Sequence, residues 1–384
     1  MMNEARRVSG WLIGFAAVAA LAACDDVRHG RVVVGLPRTA PDLDVADVRM
    51  TADTAPVRDT ALATADAVRD TTDAHDTRAD TFVTFDVDQG CRTAVGVREG
   101  AHVLPQTTLH LIGHDNGAAA GYRWSVNAPV GSSSRFLPSE TAPDPTFEVN
   151  VAGRYEFGLV VLDGSGGASC LASAVVWVVP NADLHVELTW RTPRDPDESD
   201  TGPMTGSDVD LHFAHPEAKS NYDGDHDNGD DGYFDRWFDV AWFNPDPDWG
   251  VRDWSVDDNC HLDRDDRDGA GPENLNCNDL EVGRCYRVAV HYWDNHGYGN
   301  ALATVRVFFA GTQVYEEADV ELVEHDLWSV TSICWPLDPA RPPTTIKACA
   351  HSTESCERDA DCPPGMPCGW RVAPDYAHPE LPPP

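Results

Sequence analysis

From Phe85 to Phe309 the chain is written in short runs whose apolar residues alternate with polar ones, divided by clusters of Gly, Pro, Asn and Asp. The clearest runs are Thr108–Ile112, Gly121–Val126, Tyr155–Leu162, Ala174–Val179, Leu184–Trp190, Asp208–Phe213, Cys285–Trp293 and Ala303–Phe309. A period of two buries one face of a strand, and no run carries a helical period. Short strands at this spacing fold as β-sandwiches. The sequence therefore predicts an all-β protein with two sandwich domains, over 85–180 and 182–336, which suits a chain of 384 residues. Residues 25–81 contain no Phe, Trp or Tyr and loosely repeat a phrase, Val57-Arg58-Asp59-Thr60 and Val68-Arg69-Asp70-Thr71. Such a segment cannot bury enough apolar surface to offset its ordering entropy, so 24–84 is expected to be a disordered stalk. Residues 337–384 are Pro-rich and hold four cysteines, which predicts a small disulfide-rich tail.

Ahead of the stalk, Arg6 and Arg7 precede an apolar run from Trp11 to Leu21, which ends in Leu21-Ala22-Ala23-Cys24. A positive end, an apolar middle and small residues before a cut are the layout of a secretory signal peptide over 1–23. The run is shorter than the roughly 20 residues a membrane-spanning helix needs. Leu-Ala-Ala-Cys resembles the bacterial lipobox. That resemblance implies lipidation at Cys24, removal of the leader, and anchoring to the cell envelope, on its periplasmic face or outer surface. It also accounts for an odd number of cysteines, 11. The remainder, Cys91, Cys170, Cys260, Cys277, Cys285, Cys334, Cys349, Cys356, Cys362 and Cys368, are enough for five bridges in an oxidising compartment. Cys91 and Cys170 lie near the two ends of the first sandwich and are candidates to staple it. In the tail, bridges are favoured over a zinc site, with three pairings open.

The pieces Gly121-Tyr122-Arg123-Trp124-Ser125-Val126 and Gly153-Arg154-Tyr155-Glu156-Phe157 are similar to polycystic-kidney-disease-type and immunoglobulin-like repeats. The resemblance implies that Trp124 packs between two sheets and that Tyr155 begins a late strand. Trp124 is expected to be a core residue with no binding role.

Net charge is −36. That argues against nucleic-acid or anionic-lipid binding and favours cations or basic partners. The acids concentrate in the second sandwich, where roughly 29 Asp and Glu face roughly 9 Lys and Arg between positions 181 and 300. In the strand Ser207–Phe213, alternation sends Val209, Leu211 and Phe213 to the core and Asp208, Asp210 and His212 to the other face. Same-face Cα atoms are about 6–7 Å apart, close enough for two carboxylates to share a cation. Downstream lies an acidic segment with Asp263, Asp265 and Asp266, followed by Gly271-Pro272-Glu273-Asn274. The Asp-x-Asp-Leu-His strand, the Trp249-Gly250 turn, this segment, the Gly-Pro-Glu turn and the strand Tyr286–Tyr292 together resemble the YfaP-like family of exported bacterial β-sandwich domains. The resemblance implies the fold and lends no function. The family pattern has a Cys in the stretch matching Phe238–Trp242, and this chain has none there. The pairing of Cys260, Cys277, Cys285 and Cys334 therefore stays open.

A second acidic loop runs from Asp223 to Asp235, with Asp225, Asp227, Asp231 and Gly232 between. Alternating oxygen ligands with a Gly at the sharp turn suit calcium. Asp227, Asp231, Gly232 and Asp235 fit positions 1, 5, 6 and 9 of an EF-hand loop, but Gly229 and Phe238 occupy positions 3 and 12, so it is not an EF-hand. It resembles the calcium loops of thrombospondin-type repeats. Calcium takes six to eight oxygens and binds extracellular modules at about 10⁻⁴–10⁻³ M. The expected ligands are Asp208, Asp210, Asp223, Asp225, Asp227, Asp231, Asp235, Asp263, Asp265, Asp266 and Glu273. His212, His215, His291 and His296 are a rival zinc set. No His-Glu-x-x-His, Gly-x-Ser-x-Gly or phosphate-binding glycine loop is present, so a non-enzymatic binding or structural module is expected. Its partners are the membrane, through the lipid, and an envelope protein or polysaccharide. The rival reading, a hydrolase or carbohydrate-binding protein acting on envelope or extracellular polysaccharide, rests on paired carboxylates and on Trp237, Trp242, Trp249 and Trp254 as a sugar-stacking platform.

Overall fold

The computed structural model describes residues 83–85, 93–115, 119–198, 202, 204–219, 232–251, 253, 256, 258–267, 269, 271–338, 340–348, 355–356, 371–373 and 376. Among them there is no helix, and so none long and apolar enough to cross a membrane. The leader, Cys24, the stalk before Val83, and Cys91, Cys349, Cys362 and Cys368 lie outside the described residues, as does the side chain of Cys356.

Alternation becomes strand wherever one face can be buried. The first sandwich contains β1 (Val83–Phe85), β2 (Ala94–Val97), β3 (His102–Val103), β4 (Thr107–His114), β5 (Gly121–Asn127), β6 (Thr146–Val149), β7 (Gly153–Leu162) and β8 (Ala172–Val178). Two four-stranded sheets result, ordered β1-β2-β4-β6 and β3-β8-β7-β5. Val95, Leu109, Leu111 and Phe147 from one sheet meet Trp124, Tyr155, Phe157, Leu159 and Val176 from the other. Trp124 lies in this core, and its indole N–H donates to the Ala142 carbonyl at 2.9 Å. Tyr155 is pinned by its hydroxyl, which accepts from the Val151 N–H and donates to the Val151 carbonyl, both at 3.1 Å. Both residues stand where the immunoglobulin-like pattern puts them. Cys170 is disulfide-bonded.

The second sandwich contains β9 (Leu184–Arg191), β10 (Asp208–Ala214), β11 (Asp239–Val240), β12 (Cys260–Leu262), β13 (Glu273–Cys277), β14 (Cys285–Asp294), β15 (Ala301–Phe309), β16 (Thr312–Leu322) and β17 (Leu327–Cys334). The sheet continues past Pro336 through β18 (Thr344–Ala348), β19 (Ser355–Cys356) and β20 (Arg371–Ala373). One sheet runs β12-β13-β9-β15-β16, and the other β11-β10-β14-β17-β18-β19 with β20 also on β17. Between them Val186, Leu188, Trp190, Val209, Leu211, Phe213, Val288, Val305 and Trp328 form one core. The four cysteines left open by sequence pair as Cys260–Cys277 and Cys285–Cys334. Each pair sits directly opposite across antiparallel strands, β12 on β13 and β14 on β17. Tyr376, beyond the last strand, is fully buried in a smaller cluster with Ala214, Tyr233, Phe234, Ala289 and Leu327.

The two sandwiches belong to one compact unit, His75–Pro384. Their joint is polar. Glu187 on β9 is wholly buried there. It pairs with Arg306 at 2.8 Å and accepts the Ala152 N–H at 2.7 Å. Arg306 also donates to the Val130 carbonyl at 2.7 Å.

Candidate metal centre

Strand β10 carries the acidic pair. It lies antiparallel to β14, with Asp210 opposite His291 and a bulge between Asp208 and Val209. Val209, Leu211 and Phe213 enter the main core, as alternation requires. The other face is covered as well, because all of β10 is buried. Two covers account for this. The segment after β12 folds back over Asp208 and Asp210, held by a parallel bridge between Gly206 and Gly269. Further along, Phe234 packs on His212 with ring centroids 4.6 Å apart.

The clasp needs both glycines. Gly206 has φ +78°, and a Cβ there would fall 2.5 Å from the Gly269 nitrogen. Trp190 closes the same end, its indole N–H shared between the carbonyls of Ser207 at 3.1 Å and Gly269 at 2.9 Å.

Beneath this cover, carboxylate oxygens of Asp210, Asp265 and Glu273 all lie within 4.8 Å of one another. Asp265 is exposed at the mouth, whereas Asp210 is 2% and Glu273 0% exposed. Glu273 is oriented by backbone: one oxygen accepts the Leu211 N–H at 2.6 Å, the other the Asp266 N–H at 3.3 Å. One oxygen each of Asp208 and Asp210 is buried without a hydrogen-bond partner. Loss of water and mutual repulsion push all three inner acids up. Burial, then Asp265, raises Asp208 to about 7, with Arg267 pulling the other way. Burial raises Asp210 well above the carboxylate range, and Asp208, Glu273 and Asp265 add to it. Glu273 rises for the same reason, burial first and Asp265 next. Burial disfavours the charged form of each, and like charges reinforce that. Such a group is stable only when it holds a proton or a cation.

The donors test which cation fits. All are hard carboxylate oxygens, with no sulfur and no imidazole among them, which suits a hard cation such as magnesium, calcium or manganese rather than zinc or copper. Oxygens at 2.3–2.6 Å from calcium reach at most about 5 Å apart across it, a span that accommodates the trio. Further coordination calls for more oxygens, and Asp208, two residues before Asp210 on the same strand, has one buried without a partner.

Asp223, Asp225, Asp227 and Asp231 lie outside the described residues. Asp235 spends both oxygens on backbone N–H groups, of Lys219 at 2.7 Å, Trp237 at 2.9 Å and Phe238 at 3.2 Å. Asp263 accepts from the Asn276 amide and faces His261 at 3.0 Å. Asp266 contributes its backbone N–H to Glu273.

The four histidines do not gather as one set, although the rings of His212 and His291 lie 6.3 Å apart. His212 pairs with Asp239 at 2.8 Å and His215 with Glu281 at 2.7 Å. The His291 ring meets the Tyr376 carbonyl at 3.1 Å, and that of His296 the Gly206 carbonyl at 2.9 Å. The three described tryptophans differ in exposure. Trp249 is buried and donates to the Trp237 carbonyl at 3.0 Å. Trp242 is half-buried, with its ring centroid 5.3 Å from that of Trp293. Trp237 is exposed, and Trp254 lies outside the described residues. Sequence reading missed the His212–Asp239 and Glu187–Arg306 pairs, whose partners are 27 and 119 residues apart. No local spacing signals either.

No family model matches the chain, and no curated protein sequence matches it. Among solved structures, it is similar to the D00-D0 domain of Intimin, at 9% sequence identity over 60% of this chain and 98% of that one, with a TM-score of 0.18. A likeness at that level decides nothing here, and the all-β architecture stands on the strands themselves.

Proposed function

We propose that the protein is a non-enzymatic, calcium-stabilised binding or structural module. In this reading it is exported and lipid-anchored to the cell envelope through Cys24. Its first sandwich is of the polycystic-kidney-disease or immunoglobulin-like kind and its second is YfaP-like. The observation that supports calcium is the trio of two buried acids, Asp210 and Glu273, with the exposed Asp265, together with the partnerless oxygens of Asp208 and Asp210. Export supports it too, since free calcium is plentiful outside the cytoplasm and the ten remaining cysteines suit an oxidising compartment. When bound, calcium supplies positive charge to carboxylates that have lost their water. Asp210 and Glu273 would hold it with their buried carboxylates, and Asp265 would add a third. At 100 times its dissociation constant the ion adds about 2.7 kcal/mol to stability.

The test is elemental analysis of the purified full chain with melting in calcium and in EGTA. Bound calcium and a melting temperature raised by several degrees are expected. A chain that binds none, and melts identically with and without EGTA, overturns the reading. Metabolic labelling with a fatty-acid analogue, lost in Cys24→Ala, tests the anchor.

A further inference from the structure

The segment that carries two of the three ligands also carries the polar contacts to the first sandwich. Arg264, beside Asp265, forms an ion pair with Glu148 on β6. The carbonyl of Gly271, two residues before Glu273, accepts the Ser133 hydroxyl at 2.9 Å. The side-chain amide of Asn274, next to Glu273, donates to the Asn150 carbonyl at 3.3 Å. Gly271 lies close against Trp190: its φ is +72°, and a Cβ there would lie 2.5 Å from the Trp190 ring. Ligand positions and joint contacts thus alternate along one short stretch, 264–274, with the clasp at Gly269 between them.

With no cation, Asp265 faces the inner acids Asp208, Asp210 and Glu273 with only Arg267, among the described residues, to offset them, and the stretch is held by the glycine clasp, the Trp190 indole and its contacts to the first sandwich. A cation would reverse that sign and draw Asp265 inward, and Arg264, its neighbour in the chain, would follow, while Gly271 is tied to the same site two residues before Glu273. We propose that cation binding at Asp210, Asp265 and Glu273 fixes the angle between the two sandwiches, so that the site acts as a calcium-controlled lock on the joint. The proposal rests on the calcium reading above and adds its mechanical consequence. The second anchor, Glu187 with Arg306, Ala152 and Val130, contains no ligand. It holds the sandwiches together in either state, so removing calcium loosens the joint without parting it.

The experiment measures distances in the full chain between spin labels on non-cysteine unnatural residues. The labels replace Arg123 on β5 and Val314 on β16, both exposed strand positions. Calcium is expected to narrow the distance distribution at least twofold relative to EGTA, and Asp210→Asn to keep it broad in both. Joining Arg264→Ala to Ser133→Ala alters no carboxylate. That double variant is expected to keep the calcium-induced rise in melting temperature but lose most of the narrowing. If calcium raises the melting temperature of the parent and leaves its distribution unchanged, the lock is overturned and the calcium site stands. If calcium changes neither, the site itself falls and the lock with it. If the double variant narrows as fully as the parent, the contacts of 264–274 are not what transmits binding, and the lock is overturned.

Discussion

Asp210 and Asp263 are separable by what their oxygens touch, although both sit in Asp-rich sequence. Asp210 is buried with a partnerless oxygen beside two further carboxylates, whereas Asp263 is engaged by Asn276 and His261. Asp210→Asn removes a buried like charge, so in EGTA it is expected to melt at or above the parent temperature. In saturating calcium it is expected to lose the whole increment, about 2.7 kcal/mol at 100 times the dissociation constant. Asp263→Asn keeps that increment. Calorimetry of both variants in both buffers checks this, and an Asp210→Asn chain that still responds fully would sink the assignment. In the first sandwich, Tyr155→Phe strands the Val151 N–H and carbonyl in a buried setting. A cost of about 1–3 kcal/mol in urea denaturation is expected. At this scale the sequence was informative where a residue's role is packing: Trp124 and Tyr155 could be placed through the resemblance of their stretches to immunoglobulin-like repeats. Glu273 was found through its turn motif, but its bond to Leu211 could not be, because 62 residues separate the partners.

The strand ladders make the two disulfides of the second sandwich unequal. Cys260 and Cys277 close 17 residues, Cys285 and Cys334 close 49. Loop-closure entropy then puts the losses at about 3 and about 4 kcal/mol when each pair is changed to Ser. Urea titrations of the two double variants test the order. The ordering fails if the shorter loop proves the more costly. Between β9 and β15, Glu187 and Arg306 set a pH dependence. Burial lifts Glu187 from 4.5 to about 7, against the pull of Arg306. A carboxyl raised in the folded state gives stabilisation that is complete below pH 4.5 and is lost as pH rises through about 7. The shift corresponds to ~3 kcal/mol at 1.36 kcal/mol per unit. Glu187→Gln cannot titrate, so its stability relative to the parent should improve by that order between about pH 5 and about pH 8, measured in saturating calcium to hold the other acids fixed. A constant difference across the range would refute it. Alternation revealed the elements themselves, β4, β7 and β14 above all. It did not reveal that the polar face of β10 is covered, since that depends on a much later segment of the chain folding back through the Gly206–Gly269 bridge.

For the whole molecule, a net charge of −36 means that any cation relieves some repulsion, so a stabilising effect of calcium does not by itself locate a site. Screening and site binding differ in their dependence on salt. The Debye length falls from about 30 Å at 0.01 M to about 3 Å at 1 M, which removes interactions between exposed charges and barely touches buried ones. In EGTA, raising sodium chloride over that range is therefore expected to raise the melting temperature of the parent and of Asp210→Asn alike. Adding calcium at about 1 M sodium chloride is expected to raise the parent further and to leave Asp210→Asn where it was. The reason is that the oxygens of Asp210 and Glu273 lie beneath the 264–271 cover, out of reach of the ionic atmosphere. The measurement is a grid of melting temperatures over salt and calcium for the two chains. A calcium increment that disappears at the highest salt would mean diffuse counterion binding to the acidic surface. It would also remove the reason for the like-charged oxygens of Asp208 and Asp210 to be buried without partners, since a proton alone neutralises them only below the pH at which Asp208, at about 7, lets its own go.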